Sequence, residues 1–336
     1  MEKLLTLIIP TYNMEKYLRK CLDSLLVAKN LDSLEVLVVN DGSKDSSSAI
    51  GHEYAEKYPQ SFRVIDKENG NYGSCINRGV LEGCGKYVKI LDADDHFDTA
   101  VLDEVLTLMK TVDVDLFLTD TVQIHEDGSF VLKNDFAMPS MLVQNFNDYS
   151  KVDEMPMHCI AYKLENVRRL GYKQTEGISY TDTEWAFFPM EAVTTCFYFP
   201  KVLYRYLIGR VGQTMAPEVY KRGRNQELII TKRMVEFWNA HQDMSVQGYF
   251  DQYLLHRLRR IYMQNLVRNE EGDNDFLIEM DKFIKERSCK MYALLDGCLY
   301  GRREKIPFIR DWRKNYKATL KFRLCVMLHK MMGGQK

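Results

Sequence analysis

The stretch KYVKILDADDHFD, residues 86–98, joins a short apolar run to a dense group of acidic side chains. KYVKIL (86–91) has the length and the composition of a buried strand. The aspartates that follow the run lie close together, and their negative charges repel one another. A positive charge nearby would offset this repulsion. Three carboxylates at a strand end are typical oxygen ligands of Mg²⁺ or Mn²⁺. The aspartates of this group are Asp92, Asp94, Asp95 and Asp98.

Two of these aspartates are predicted to have local structural roles. Asp98 stands directly before Thr99 and is predicted to cap the helix that begins there. Asp95 is predicted to support the turn after the strand. An acidic turn that only caps the next helix remains an alternative for the whole group, because the DxD pattern is weak evidence by itself. A phosphoryl-transfer aspartate is a second alternative, which the crowding of negative charge disfavours.

Strand and helix patterns alternate on both sides of this stretch. One helix is predicted to follow Asn13 as its N-cap, and another lies around 74–83. Helices joining successive strands predict an α/β fold, namely a doubly wound, mostly parallel sheet with helices on both faces. Besides 86–91, the predicted strands are LLTLIIP (4–10), LEVLVV (34–39), FRVID (62–66) and VDLFLTD (114–120).

Polar residues follow directly on three of the predicted strands. Ligands of doubly wound sheets bind at the carboxyl ends of the strands, so these residues predict the position of a site. Asp41 is suited to accept hydrogen bonds from a base or a ribose, or else forms an Asx turn with its neighbours. The three groups are PTYN (10–13), NDGS (40–43) and DADD (92–95).

A glycine-rich loop, KENGNYGSCINRG (67–79), follows the third strand. Its glycines allow the backbone to approach a ligand closely. The cations Lys67 and Arg78 suit contacts with phosphate or base. The loop has neither the P-loop pattern nor the dinucleotide fingerprint, so it predicts neither of those sites.

The pattern changes beyond residue 120. Asp127 and Gly128 predict a hairpin turn between VQIH and SFVLK. TDTEWAFFPM (181–190) predicts the start of a helix, and 194–208 is rich in strand-forming residues. The remainder is helical in character. We therefore predict an α/β domain followed by a helical C-terminal region, with the bounds 1–215 and 216–336.

Composition limits the class of protein. The 336 residues are 46% hydrophobic and 28% charged, as in an ordinary globular protein. The formal net charge of −1 argues against nucleic acid as a partner. Eight cysteines without paired zinc spacing predict a reducing, cytoplasmic environment and no disulfide framework. The N-terminal apolar run is too short for a signal peptide, and no stretch reaches the ~18 apolar residues of a membrane span.

The C-terminal segment is strongly basic. Residues 301–336 contain 11 Lys and Arg against 2 Asp and Glu, so they carry a net charge of +9. KATLKFRLCVMLHKMM (317–332) interleaves such cations with apolar residues. A helix of this kind either lies peripherally in a membrane interface or packs its apolar side on the body of the protein. The sequence leaves both alternatives open.

Four segments, in order and at the right spacing, resemble the N-terminal domain of family 2 glycosyltransferases, which has the GT-A fold. The resemblance covers about residues 1–215. It implies a nucleotide-diphosphate sugar as donor, a UDP-sugar in the first instance, with Mn²⁺ or Mg²⁺ as the metal. The segments are IIPTYN (8–13), EVLVVNDGSKDSS (35–47), NGNYGSCINRG (69–79) and KYVKILDADD (86–95).

The resemblance also implies roles for individual residues. Thr11, Tyr12 and Asp41 would hold the nucleoside. Asp92 would face the ribose, and Asp94, or else Asp92, would bind the metal. The complete nucleotide-binding set that the resemblance implies is Pro10, Thr11, Tyr12, Asn13, Asp41, Lys67, Asn69, Gly73, Arg78, Asp92, Ala93, Arg210 and Gln213.

Phosphate contacts are implied in two segments. The glycine loop contributes Lys67 and Arg78, although it is slightly longer than the commonest family version. YRYLIGRVGQT (204–214) resembles the segment that closes over the donor phosphates, with Arg210 and Gln213 as its candidates. The QxxRW pattern of processive synthases is absent from the sequence, which implies the transfer of one sugar per encounter.

The family's catalytic base stands at the start of a helix, usually in a Glu-Asp-x-x-aromatic pattern. Here Asp182 precedes Trp185 by three residues, but Thr181 stands where Glu is usual. Asp182 is the implied base and Glu184 is the alternative. A helix cap is the non-catalytic explanation of Asp182.

These implications add up to an expected function. It is a metal-dependent, inverting transfer of a sugar to a hydroxyl of a glycan or lipid-linked acceptor. By resemblance, the setting is bacterial polysaccharide or glycolipid assembly, in the cytoplasm and at the inner face of the membrane. A catalytically silent nucleotide-sugar-binding protein and a sugar-phosphate nucleotidyltransferase remain the alternatives.

Overall fold

The computed structural model divides the chain into two compact units, Met1–Gly223 and Arg224–Lys336. The domain boundary predicted between residues 215 and 216 lies among residues that are not described. The structure describes residues 2–331 except for 126, 134–135, 137, 150–154, 210–216, 243–245, 269–273 and 302–304.

The first unit is built on one sheet. In the part of the chain that the structure describes, its strands are β1 (Leu5–Thr11), β2 (Leu34–Asn40), β3 (Phe62–Asp66), β4 (Tyr87–Ile90), β5 (His96–Phe97), β6 (Leu116–Ile124), β7 (Phe130–Lys133), β8 (Val143–Asn145), β9 (Ile160–Lys163) and β10 (Thr195–Leu207). The helices between them are α1 (Leu18–Asp23), α2 (Ser47–Lys57), α3 (Asn71–Glu82), α4 (Thr99–Met109), α5 (Leu164–Arg169) and α6 (Asp182–Phe187).

The strand order is β3-β2-β1-β4-β9-β6-β10-β5, with β7 beside β6 and β8 beside β10. Strands β3, β2, β1 and β4 are parallel neighbours, and β6 is parallel to β10. Strand β9 is antiparallel to both β4 and β6. The predicted mostly parallel α/β sheet is therefore confirmed, with an antiparallel strand inserted that the sequence did not indicate.

The centre of the sheet is apolar because these strands are covered on both faces. All seven residues of β2 are buried, as are six of the seven residues of β1. Their carboxyl ends are joined where the N–H of Asp41 donates to the carbonyl oxygen of Thr11 over 2.8 Å. The core thus fixes the positions of the polar residues that follow each strand.

Several local predictions can be compared with the structure. The side chain of Asp98 accepts from the N–H of Val101 over 3.2 Å, so the predicted cap of α4 is confirmed. The hairpin at Gly128, with φ of +84°, joins β6 to the antiparallel β7. The N-cap prediction for Asn13 is wrong, because α1 begins only at Leu18. The Asn13 side chain instead accepts from the N–H of Lys44 over 2.8 Å.

The second unit is helical, as the sequence predicts. The side chain of Arg313, which is 7% exposed, pairs with Asp281 and Asp296, each over 2.7 Å. No described helix of the chain is long and apolar enough to cross a membrane. The helices are α7 (Pro217–Ala240), within which the division between the units falls, α8 (Gln247–Arg268), α9 (Asn274–Arg287), α10 (Cys289–Asp296), α11 (Phe308–Arg313) and α12 (Leu320–Met331).

Candidate nucleotide-sugar site

A cavity of about 290 Å³ opens at the carboxyl ends of β1, β2 and β4. It collects residues from all three strand ends, from the start of α3 and from the start of α6. The predicted site residues that line it are Pro10, Thr11, Tyr12, Asp41, Asn69, Asp92, Ala93, Asp94 and Asp182.

A second depression, of about 690 Å³, lies beside the start of α4. Its walls include Leu26, Thr99 and Phe199, and it contains none of the predicted site residues. The smaller cavity is therefore the candidate site.

The side of the cavity where the predicted nucleoside contacts lie is organised around Asp41, which is 3% exposed. Lys67 Nζ donates to Asp41 Oδ1 over 2.6 Å, and the N–H of Gly70 donates to the same oxygen over 2.9 Å. The side-chain amide of Asn69 donates to the carbonyl oxygen of Asp41 over 2.9 Å. These bonds tie the glycine loop to the end of β2, and the Lys67 ammonium offsets a carboxylate that would be costly to bury unpaired.

On the acidic side of the cavity, tyrosine hydroxyls form hydrogen bonds with the aspartates. Tyr72 donates its hydroxyl to Asp92 Oδ1 over 2.7 Å. Tyr204 donates to Asp95 Oδ2 over 2.7 Å and accepts from the N–H of Asp92 over 3.1 Å. The N–H of Leu207 donates to Asp95 Oδ1 over 2.7 Å. Asp95 thus joins the turn after β4 to β10, the supporting role that the sequence predicts for it.

The carboxylates at the cavity are close enough together to shift the pKa values of the groups around them. Burial raises the pKa of the Asp95 carboxyl well above its usual range, and the charges of Asp92 and Asp94 raise it further. Tyr206 lines the cavity, and its pKa is raised by burial and then by these three carboxylates and by Asp182. Asp182 comes from α6, so the fold brings two distant parts of the chain to one electrostatic environment.

His158 is a candidate metal ligand that the sequence did not indicate. Its ring lies 4.7 Å from that of Tyr206, stacked at 24°. One ligand atom each from Asp92, Asp95 and His158 lie within 4.8 Å of one another. Burial, together with the charge of Lys89, lowers the pKa of His158 to about 3, so its imidazole is neutral near pH 7 and can bind a metal.

The donor set fits Mn²⁺ or Mg²⁺, since it combines carboxylate oxygens with one imidazole nitrogen. Both oxygens of Asp95 already accept hydrogen bonds from the protein. Asp92, Asp94 and His158 all line the cavity. They are the better candidates to hold a cation there.

Asp182 and Glu184 have different surroundings. Asp182 lines the cavity and is the first residue of α6, while Thr181 occupies the N-cap position that the alternative explanation gave to Asp182. Glu184 is fully buried. Its two carboxylate oxygens accept from the N–H and the hydroxyl of Thr175, each over 2.7 Å. Glu184 therefore anchors α6 to the preceding loop.

Three predicted nucleotide contacts lie elsewhere among the described residues. Arg78 is paired with Glu82 on the exposed side of α3. Gly73 lies against the backbone of Thr175. Asn13 bonds with its side chain to the turn after β2. Arg210 and Gln213 lie outside the described residues. A nucleotide-binding role for these five stays a prediction.

Gly73→Ala is expected to lower the free energy of unfolding by about 2 kcal/mol, since overpacking outweighs the gain in helix propensity. A Cβ atom at Gly73 would stand 2.0 Å from the carbonyl oxygen of Thr175. Urea denaturation measures the effect. Leu81→Ala, at a position of the same helix that is 72% exposed, is the control and should change stability by less than about 0.5 kcal/mol. Equal stability of both variants would contradict the close packing.

Several residues that line the cavity were not predicted from the sequence. Tyr72, His158, Tyr180 and Tyr206 all line the cavity, but none of them is among the residues to which the sequence assigned a ligand. Tyr180 has a φ of +64°, which is uncommon for a tyrosine and typical of functional sites. Its ring packs on Gly223, where a Cβ atom would stand 2.2 Å from Tyr180 Cε2. Only the fold brings these residues together.

The fold and the cavity define a class of protein, the GT-A proteins with a site at the carboxyl ends of the strands. Residues 6–171 match the model of the family described as "Glycosyl transferase family 2". This part of the chain is therefore a family 2 glycosyltransferase domain, and the resemblance inferred from its motifs is confirmed.

Curated relatives match part of the chain. The putative glycosyltransferase EpsH of Bacillus subtilis is 33% identical over 132 residues, which are 39% of this chain and 38% of that protein. The minor teichoic acid biosynthesis protein GgaB of B. subtilis is 34% identical over 102 residues, which are 30% of this chain and 11% of that protein. The matched part of the chain thus spans well under half the length of these relatives.

A solved structure matches over almost the whole chain. Residues 1–349 of S. aureus TarS, in complex with UDP-GlcNAc, superpose with a TM-score of 0.71 at 17% sequence identity. The match covers 98% of this chain and 92% of that one. At this identity the likeness concerns the fold, and it confirms the predicted GT-A class, with helices added after the sheet.

Proposed function

We propose that this chain transfers a sugar, with inversion, from a nucleotide-diphosphate donor to a hydroxyl group of an acceptor, and that it needs a divalent metal to do so. The observation that carries the proposal is the arrangement of Asp182 from α6 in the same cavity as Asp92 and Asp94 from the end of β4. A base and a cation-binding group are the two parts that such a displacement requires.

The donor in this proposal is a UDP-sugar. The chemistry of the cavity suits a nucleotide, since its walls offer an aromatic ring at Tyr12, a carboxylate at Asp41 and an amide at Asn69. TarS, which shares the fold, is described in complex with UDP-GlcNAc.

The residues of the chain divide the chemistry between them. Asp41, tied to Lys67 and Gly70, orients the nucleoside, and Tyr12 packs against it. Asp182 accepts the proton of the acceptor hydroxyl as that oxygen attacks the anomeric carbon. One base acting on one displacement from the opposite face of the sugar inverts the anomeric configuration.

Asp94 is the proposed metal ligand, with Asp92 and the neutral His158 beside it. A bound Mn²⁺ or Mg²⁺ would supply a positive charge that offsets the charge of the leaving diphosphate. It would also offset the charges of Asp92 and Asp94, which raise the pKa of Asp95 in addition to the effect of its burial.

The proposed acceptor is a glycan or a lipid-linked glycan, and the proposed location is the cytoplasm, at the membrane face. The relative GgaB is described as a teichoic acid biosynthesis protein, which is consistent with an acceptor of that general class. Peripheral contact of the basic tail with the membrane belongs to the same proposal.

A panel of nucleotide sugars with Mn²⁺, screened by thermal shift, tests the donor. A true donor binds the native state only and raises the melting temperature by mass action. The stabilising donor is then incubated with acceptors, and the released nucleotide is identified. Release of UDP supports sugar transfer. Pyrophosphate would indicate a nucleotidyltransferase, and binding without release of either product would indicate a silent binding protein.

A further inference from the structure

Helix α12 (Leu320–Met331) has one apolar side that packs on its own unit. Phe322 and Val326 are 2% and 8% exposed. The ring of Phe322 stacks on that of Phe308 at 5.5 Å and 12°, and it meets the ring of Tyr300 edge-on at 5.2 Å. On this side, the helix packs as the second alternative for the tail predicts.

The same helix carries four further large apolar side chains, which are exposed. At about 100° per residue they fall within one stripe, about 100° wide, on the side of the helix opposite to Phe322 and Val326. We call it the exposed stripe. Its members are Leu320, Leu324, Met327 and Leu328, with exposed fractions of 72%, 46%, 52% and 53%.

Cations border the exposed stripe on both margins. On the same helical wheel, Lys321 falls at one edge of the stripe and Arg323 at the other. Both are exposed, as is Lys317 just before the helix. Long basic side chains at the margins of an apolar stripe can lay their methylene groups along the apolar surface while their charged ends reach outward.

We infer that α12 lies in the interface of an anionic lipid bilayer, with the exposed stripe at the boundary of the acyl chains and Lys321 and Arg323 among the headgroups. An apolar stripe with basic margins is the pattern of an interfacial helix, and anionic lipid attracts cations close to its surface. A second copy of the chain is a poorer occupant, because it would bring two segments of net charge +9 together.

Flotation of the full chain with lipid vesicles tests the inference. The wild type should float with vesicles that contain phosphatidylglycerol and much less with vesicles of phosphatidylcholine alone. The triple variant Leu324→Gln, Met327→Gln, Leu328→Gln should no longer float. The double variant Lys321→Gln, Arg323→Gln should bind anionic vesicles at least about tenfold more weakly, since each cation near such a surface contributes about fivefold.

The control is Ile229→Gln on α7, which replaces an apolar side chain that is 48% exposed outside the stripe and should float as the wild type does. Circular dichroism confirms that every variant is folded. Absence of flotation by the wild type, or equal flotation of the triple variant, overturns the inference. So does a wild-type dimer in sedimentation that the triple variant dissociates. Neither donor nor acceptor is present, so the outcome is independent of the proposed transfer reaction.

Discussion

Asp182→Asn is expected to lower turnover about 10²-fold or more while donor binding stays close to that of the wild type. The amide keeps the shape of the carboxylate but cannot take the proton of the acceptor hydroxyl. Asp182 is the first residue of α6, so losing its charge there costs only about 0.3–1 kcal/mol of stability. Turnover at saturating donor, together with the thermal shift that the donor produces, separates catalysis from binding.

Glu184→Gln is the matched comparison, because it makes the same chemical change two residues away. Glu184 is buried and accepts two hydrogen bonds from Thr175. The substitution should therefore lower stability by about 1–3 kcal/mol and leave the activity of the folded molecules within a few-fold of the wild type. Wild-type turnover by Asp182→Asn, combined with loss of turnover by Glu184→Gln, would transfer the role of base to Glu184.

The two acidic residues illustrate what the sequence could and could not establish. It placed both Asp182 and Glu184 at the start of a helix, since an acidic residue before an apolar run is a local signal. The family pattern favoured Asp182 over Glu184, but the sequence could not show that Glu184 is buried, because that burial depends on the loop that carries Thr175. Gly73 packs directly against the backbone of that loop, although its predicted role was to contact a ligand.

The sheet shows the same limit. Strands with long apolar runs, such as β1 and β2, were predicted because a strand buried on both faces needs no periodicity to be recognised. Strand β9 was not, since its four residues pair with β4 and β6, which are remote in sequence. Missing β9 also meant missing His158, which lies just before it. The acidic residues of the candidate metal site were therefore predicted from the sequence, and its imidazole was not.

Removal of divalent metal with excess chelator is expected to lower transfer activity at least about 10²-fold, and Mn²⁺ should restore it. The physical reason is the crowding of Asp92, Asp94 and Asp95, since burial raises the pKa of Asp95 and the charges of the other two carboxylates raise it further. The same crowding predicts a readout that needs no substrate. Mn²⁺ at 100 times its dissociation constant should stabilise the folded protein by about 2.7 kcal/mol, because it binds the native state.

Asp94→Asn tests whether the cation is bound where we propose. It removes one charge from the cluster, so the metal-free variant should be at least as stable as the metal-free wild type, yet it should gain much less from Mn²⁺. His158→Gln should also reduce the gain but without the rise in metal-free stability, since the neutral imidazole carries no charge to remove. The control is Glu104→Gln, an exposed acid paired with Lys201, which should respond to Mn²⁺ as the wild type does. Full activity in excess chelator, or an undiminished response of Asp94→Asn to Mn²⁺, would rule out Asp94 as the metal ligand. In the second case, a lost response in His158→Gln would place the cation between Asp92, Asp95 and His158 instead.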